Sequence, residues 1–518
     1  MREATDFSAL TQNFRDDLAT DVVGMETGSA ILGNPSNMIQ EGDTRVVDTQ
    51  HLRTISGLNA RLKYHLSLLK LDSPNDQNED ASLAPIFTAP VLYQPGQGPS
   101  QYGLLGGVKK VNASGFSSPE TEILAKDPRL FFNVASPSST FICGSQGSAG
   151  RLLSPLTAVV FHYDTFICDN GGSPCEAAFL ASHSNVKGTY SRFNIKVEPL
   201  QIDQANLNTK RMMDLMAVGQ DKGPVPLYMH TVQRILREMR LLQQASGSQF
   251  DYRDFKKRIL DSGLLPGQLE PLKQRLDTLE SFMPPGQADI TKNNKKKKNS
   301  APSPGSNWTP KPSQLTIVDL SCPCISPDTA CSLFNICFGI FMEQNTKVGR
   351  VVALDEAHKY MKDSVEARSF TDTLLSTVRL QRHLGARILI STQEPTISSD
   401  LLSLCSVTIV HRFSSPAWLR ALQGHVAAAA LGAQSDQKAS ANNEEYPGDL
   451  EVPGKFALFH RIVNLRVGEA LLLSPSAMLG TTTETTRSPQ LNKLGSGYMV
   501  IKIRDRLTED GGKSVVSS

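Results

Sequence analysis

Short apolar runs alternate with helical stretches through the second half of the chain, and this alternation limits the fold more than any other feature. Leu315–Leu320, Arg350–Leu354, Ala386–Ser391 and Val407–Val410 are rich in Val, Ile and Leu and are bounded by polar turns, as strands are. Between them, Asp328–Glu343 and Ser364–Leu384 repeat apolar residues at helical spacing, and a short turn-helix is expected around Pro395–Leu404. Strands this apolar need cover on both sides. The pattern therefore predicts an α/β fold, a mainly parallel sheet with helices on both faces. Asn464–Leu473 is expected to close it with one more strand.

Upstream, Phe131–Val134, Thr140–Cys143, Leu156–Tyr163 and Phe193–Pro199 read as strands, and Ala84–Val111 has room for one or two more. From about Asn208 to Met283 the texture turns helical, with Leu227–Leu242, Tyr252–Leu260 and Leu269–Phe282 periodic at 3.6 residues. Six regions follow: a loose polar stretch over 1–85 with a short helix near His51–Leu69, the first part of the core over 86–200, a helical insertion over 201–287, a basic Pro/Ser-rich linker over 288–314, the second part of the core over 315–475 and a peripheral tail over 476–518. Residues 1 to about 85, 288–313 and 430–450 have too little apolar surface to offset the entropy of ordering. Stable contacts are not expected there, and limited proteolysis should cut there first.

Composition removes some classes of function. A net charge of +2 gives no global basic field for nucleic acid. No apolar run reaches the ~18–20 residues of a membrane span, and the start has no signal-peptide core. The eight cysteines lie scattered in apolar text, which fits reduced, buried thiols in the cytoplasm or nucleus rather than a disulfide framework. Cys322 and Cys324 lack a second Cys or His pair at zinc spacing, so they too are read as structural.

The chemistry-bearing segment is RVVALDEAHKYM, Arg350–Met361. A buried strand ends in Asp355 and Glu356, where parallel sheets bind ligands. One acid can hold Mg²⁺ and its neighbour can orient or deprotonate a water, although acids in this place also cap a following helix. One helix later GARILISTQEP ends a strand in Thr392 and Gln393, whose amide could contact phosphate or could equally be part of an ordinary polar loop. Arg379 and Arg382 are three apart, on one face of a helix that is otherwise a solvated face. Lys295–Lys298 reads as a solvated charge run or a nuclear address.

Strand–DE–AH, a helix with R-x-x-R, G-A-R-x-x-x-x-S-T-Q-E-P, an apolar strand ending in Arg, and a closing L-R-x-G-E-A-L at Leu465–Leu471 together resemble the HerA/FtsK branch of P-loop ring ATPases. The resemblance covers about Thr140–Phe166 and Leu315–Pro475. It implies ATP and Mg²⁺ as ligands, Asp355 as the Walker B magnesium residue, Glu356 as the catalytic glutamate and Gln393 as the sensor. It also implies Gly144, Ser145, Gln146, Gly147 and Ser148 as the phosphate loop, and Arg412 as a phosphate-contacting arginine or a solvated strand end. The departure lies in that loop. A Walker A motif starting at Gly144 requires Gly, Lys and Ser/Thr at 149–151, where this chain has Ala149, Gly150 and Arg151. The phosphate-reaching lysine is missing, and Cys143 and Leu156 are too close in sequence for a full crossover helix between strands.

Three functions compete on these grounds. The first is a P-loop NTPase whose ATP binding and hydrolysis are impaired. The second is an inactive pseudo-ATPase that acts as a binding or scaffold protein. The third is a nucleic-acid-translocating motor subunit, a reading without support from charge. A homo-oligomeric ring is a partner expectation that the resemblance alone implies.

Overall fold

The computed structural model describes residues 81–93, 98–113, 118–143, 155–165, 196–216, 227–288, 304–344, 347–394, 397–425, 454–482 and 490–505, with the short pair β6 (Ile167–Cys168) and β7 (Gly171–Gly172) and residues 175 and 177–178. The expected helix near His51–Leu69 and the loop Gly144–Gly150 lie outside them. One 13-stranded sheet organises these residues. Its parallel part contains β4 (Ser139–Cys143), β5 (Thr157–His162), β8 (Leu315–Asp319), β9 (Arg350–Leu354), β10 (Ala386–Thr392) and β11 (Val407–Val410). These run in the order β11-β4-β10-β9-β5-β8, with every neighbouring pair parallel.

Strand register is fixed at the amino-terminal edge by two buried arginines. Arg387 donates to the carbonyls of Val134, Ala135 and Gly385, and Arg350 to those of Leu384 and Gln344. Burial lowers both guanidinium pKa values, and these carbonyls supply the acceptors that buried charges require. Arg387 belongs to the G-A-R motif, yet it lies at the end of β10 remote from Gln393 and acts on the backbone.

Helices pack on one face of this parallel part. Among them, α7 (Pro327–Glu343) starts at Ser326, whose hydroxyl accepts from the Thr329 amide, with proline in the first turn. It is apolar nearly all round and correspondingly buried, and its Phe334 and Phe338 meet Phe161 of β5. α8 (Val365–Arg379) is capped in the same way by Ser364 and turns Phe370 and Leu374 inward. The helix expected over Ser364–Leu384 breaks at Leu380 and resumes as α9 (Gln381–Leu384), which ends on Gly385 at φ 57. Arg379 and Arg382 therefore sit on separate helices, both exposed, and not on one face.

The insertion is helical as expected. It contains α3 (Thr209–Met216), α4 (Leu227–Ser246), α5 (Tyr252–Leu260) and α6 (Pro266–Ser281). Their apolar stripes, including Val232, Leu236, Phe255 and Leu276, join the same core as Phe161 and Leu354. α10 (Ser399–Leu404), α11 (Pro416–His425) and α12 (Gly454–Val463) complete that layer through Leu401, Leu419 and Leu458. Among the described residues no helix joins a core on the opposite face of β9 and β10, where Val351, Ala353 and Leu389 are half-buried.

Four expectations are corrected. Half of the sheet is not parallel. β12 (Glu469–Leu473) runs antiparallel to β11 and opens an added half made of β15 (Tyr498–Ile503), β2 (Tyr102–Asn112), β3 (Arg129–Asn133), β1 (Ile86–Thr88), β13 (Met478–Thr482) and β14 (Gln490–Lys493). All its neighbouring pairs are antiparallel except β1 with β13. The tail over 476–518 is not peripheral, because Met499 and Ile501 are fully buried between β12 and β2. Residues 304–314 of the linker do pack, with Trp308 in the main core and Gly305 against the backbone of Asp203. Residues 196–199, the described part of the strand expected at Phe193–Pro199, are irregular. Two short helices, α1 (Ala89–Leu92) and α2 (Ser118–Lys126), lie in the added half.

Candidate active site at the carboxyl edge of the parallel strands

β9 and β10 are adjacent, with Leu354 opposite Ile390, so the residues that follow them emerge side by side. Asp355 and Glu356 follow β9, and Gln393 follows β10. The Gln393 side-chain amide donates to both Glu356 oxygens, at 3.2 and 3.0 Å. β4 is the other neighbour of β10, with Cys143 opposite Thr392, and the Cys143 thiol lies 3.5 Å from the Gln393 carbonyl. The chain therefore leaves β4 for Gly144–Ser148 at the same edge.

Glu356 has a left-handed backbone, φ 50 and ψ 42. A non-glycine residue there costs roughly 1–2 kcal/mol. Neighbours on the following 3-10 turn hold its side chain. His358 Nε2 lies 3.5 Å away and Lys359 Nζ 3.7 Å, and Lys359 also bonds Asp164 at 3.1 Å. The Gln393 backbone N–H donates to His358 Nδ1 at 3.3 Å. Glu356 and Gln393 thus form one polar cluster fed from two strands.

Asp355 faces a different set of partners. Its amide donates to the Phe161 carbonyl, which anchors the end of β9 to β5. Its carboxylate meets His162 Nδ1 at 3.0 Å and the Cys175 thiol at 3.5 Å. His162 ends β5 and is buried. Burial disfavours its charge, but the hydrogen bond to Asp355 and the fields of Asp319, Asp355 and Asp164 outweigh it and raise the imidazole pKa. Burial first, and then the Asp355 charge, push the Cys175 thiol well up. Beneath the cluster, Tyr360 is fully buried and its hydroxyl has no partner among the described residues.

Asp355, Glu356 and Gln393, expected as a unit from the sequence, are brought together. Gly144, Ser145, Gln146, Gly147 and Ser148 lie outside the described residues. Arg412 is exposed two residues past β11, with β4 and β10 between it and the acids. The cysteine expectation holds for Cys143, Cys175, Cys331 and Cys337, which are buried and free, whereas Cys324 is exposed and Cys322 partly so. Sequence reasoning missed His162 and Cys175. A histidine closing an otherwise apolar strand was the available signal for the first, while Cys175 carries none.

The strand order defines the class. β10 is interposed between β4, which leads to the glycine loop, and β9, which carries the acids. This is an α/β arrangement built on a mixed sheet, with the acids and Gln393 on adjacent strands. No family model matches the sequence, and no curated protein matches it. Among solved structures the chain is similar to VirB4 of Thermoanaerobacter pseudethanolicus, at 9% identity and a TM-score of 0.44 over 79% of this chain and 98% of that one. It is also similar to B204, the DNA-packaging ATPase of Sulfolobus turreted icosahedral virus, at 13% identity and a TM-score of 0.21 over 35% and 66%. For B204 of Sulfolobus turreted icosahedral virus 2 in complex with ATP-gammaS the values are 12%, 0.20, 35% and 67%. With likenesses of this size, the fold rests on the strand order of this chain itself. Among the described residues no helix is long and apolar enough to cross a membrane.

Proposed function

We propose that this chain is a nucleotide-binding protein of the HerA/FtsK-type P-loop ATPases whose capacity for hydrolysis is impaired. The observation that carries the reading is the meeting of Glu356 and Gln393 at the edge where β4 ends, with Asp355 next to them at the end of β9. In this reading Gln393 senses phosphate and Glu356 orients the attacking water. The strained backbone of Glu356 supports that role, since strain of this kind gathers at functional sites.

The donor set fits Mg²⁺ at one point. Asp355 offers a hard carboxylate oxygen with its side chain 21% exposed, open to a hydrated cation. Bound there, Mg²⁺ would neutralise charge on the β- and γ-phosphates. The remaining work falls to this chain's own groups. The amide of Gln393, the imidazole of His358 and the ammonium of Lys359 surround the Glu356 carboxylate at the sheet edge.

The other half of the site supports the impaired reading. β4 and β5 are separated by β10 and β9, about 14 Å of sheet at the usual strand spacing. Thirteen residues, 144–156, separate the two strands in sequence. An ordinary crossover helix, at about 1.5 Å per residue, would use most of the segment on the return alone. With no lysine in the loop, nucleotide binding has neither of its usual supports. The second reading, an inactive pseudo-ATPase acting as a scaffold, rests on this same absence.

ATP binding and steady-state hydrolysis by the full chain test the proposal. Weak binding and turnover at or near background are expected, with no measurable further loss in Glu356→Gln. Turnover clearly above background that Glu356→Gln abolishes would refute the impairment and leave a working ATPase. Complete absence of nucleotide binding would select the scaffold reading.

A further inference from the structure

His162, Cys175 and Asp355 come from three separate places in the chain, the end of β5, residue 175 and the end of β9, and each offers one ligand atom within 4.8 Å of the others. We propose that they form a binding site for a transition-metal dication of the Zn²⁺ class, distinct in chemistry from the Mg²⁺ role given to Asp355 above. The site goes beyond that role and requires no nucleotide.

The donor types carry the inference. Mg²⁺ takes hard oxygens and dehydrates reluctantly, so an imidazole and a thiol have no use to it. Imidazole nitrogen, thiolate sulfur and a carboxylate oxygen are the ligands Zn²⁺ takes together. Geometry agrees. Ordinary Zn–N, Zn–O and Zn–S bonds in a tetrahedron place nitrogen and oxygen roughly 3.4 Å apart and oxygen and sulfur roughly 3.6 Å apart. Here His162 Nδ1 and Asp355 Oδ2 are 3.0 Å apart, and Asp355 Oδ2 and Cys175 Sγ are 3.5 Å apart. The His162–Asp355 pair would open by a few tenths of an ångström to admit the ion, and the third pair, His162 and Cys175, lies within 4.8 Å.

Charge and exposure agree as well. A neutral imidazole, a thiolate and a carboxylate sum to −2 and balance a dication. His162 and Cys175 are 5% and 0% exposed, whereas the Asp355 side chain is 21% exposed. The protein thus supplies three ligands from the buried side and leaves the solvent side open for a fourth, a water. On binding, the thiol releases its proton to solvent and the imidazole gives up any proton on Nδ1, so affinity rises with pH. An ion held this way occupies the carboxylate oxygen assigned to Mg²⁺, and the two cations compete.

Co²⁺ titration of the full chain, kept reduced with a non-chelating phosphine, tests the site without nucleotide. One equivalent should produce a thiolate-to-cobalt band in the near ultraviolet and intense visible bands of tetrahedral Co²⁺, and excess Zn²⁺ should bleach both. Cys175→Ser should abolish the thiolate band, while Cys322→Ser/Cys324→Ser should keep it. Should the buried Cys175→Ser fail to fold, Asp355→Asn and His162→Gln give the same answer through a loss of affinity of about tenfold or more. Absence of the band in the unsubstituted chain, its survival in a folded Cys175→Ser, or unchanged affinity in both Asp355→Asn and His162→Gln would overturn the proposal. None of these readings depends on hydrolysis, so the metal site and the ATPase reading can fail separately.

Discussion

Tyr360 shows how single residues around the site are constrained. Its ring is fully buried against Phe334, with centroids 5.0 Å apart, and among the described residues its hydroxyl finds no partner. An orphaned buried hydroxyl costs about 1–3 kcal/mol, and replacing it by an apolar group of the same shape is neutral or favourable. Tyr360→Phe should therefore leave the thermal midpoint unchanged or raise it, whereas Tyr360→Ala should lower stability by roughly 3–5 kcal/mol through the cavity it leaves. Denaturant melts of both variants check this, and a marked loss in Tyr360→Phe would mean that the hydroxyl has a partner. Glu356 is the opposite case. Its left-handed backbone suits glycine better, so Glu356→Gly should relieve strain and offset part of the stability lost with the contacts to His358 and Lys359. Glu356→Ala keeps the strain and should be the less stable of the two in the same melts.

At the scale of elements, Asp203 joins the insertion to the second half of the linker. Its carboxylate accepts from the amides of Ala205 and Gly305 and from the Gln287 side chain, at 2.9, 3.0 and 3.1 Å. Burial acts against these bonds, yet they hold its pKa below the usual carboxylate value. With the folded pKa depressed, the stabilisation is present above the unfolded value of about 3.9 and is lost as pH falls through the folded one. Stability measured by urea melts should thus fall more between about pH 5 and the acid limit in the unsubstituted chain than in Asp203→Asn. At neutral pH, Asp203→Ala should open residues 304–314 to protease, which the unsubstituted chain should resist.

This clasp also marks what the sequence made legible. Val407–Val410, Arg350–Leu354 and Tyr252–Leu260 were readable to the residue because apolar periodicity and polar stops coincide there. Asp355, Glu356 and Gln393 were readable because each directly follows such a strand. Residues 304–314 were not, since their composition is Pro-rich and polar and the long-range fit of Gly305 and Trp308 is what orders them. His162 and Cys175 were hidden for the same reason, because their meeting depends on β5 lying next to β9.

The molecule as a whole is tied together by its last strands. β15 lies between β12 and β2, and through it the parallel half is hydrogen-bonded to β1, β2 and β3. Tyr498, Met499 and Ile501 are buried there, and apolar side chains of this size contribute about 1.5–3 kcal/mol each. Against a net stability of about 5–15 kcal/mol, a chain ending at residue 475 should fail to fold. Expression of that truncation should yield insoluble protein, and a soluble product with a cooperative melt would contradict the role given to β15. The same closure sets an order of events during synthesis. The Thr88 hydroxyl bonds the Leu479 carbonyl across 391 positions, and β1 pairs with β13. At roughly 5–20 residues per second, the first strands wait about 20 to 80 s for their partners to leave the ribosome. Through that interval the eleven-residue β2 has only β3 beside it and presents an open edge. Pairing over such a separation is slow, and the edge of β2 stays open to other chains until residues 498–503 arrive to cover it.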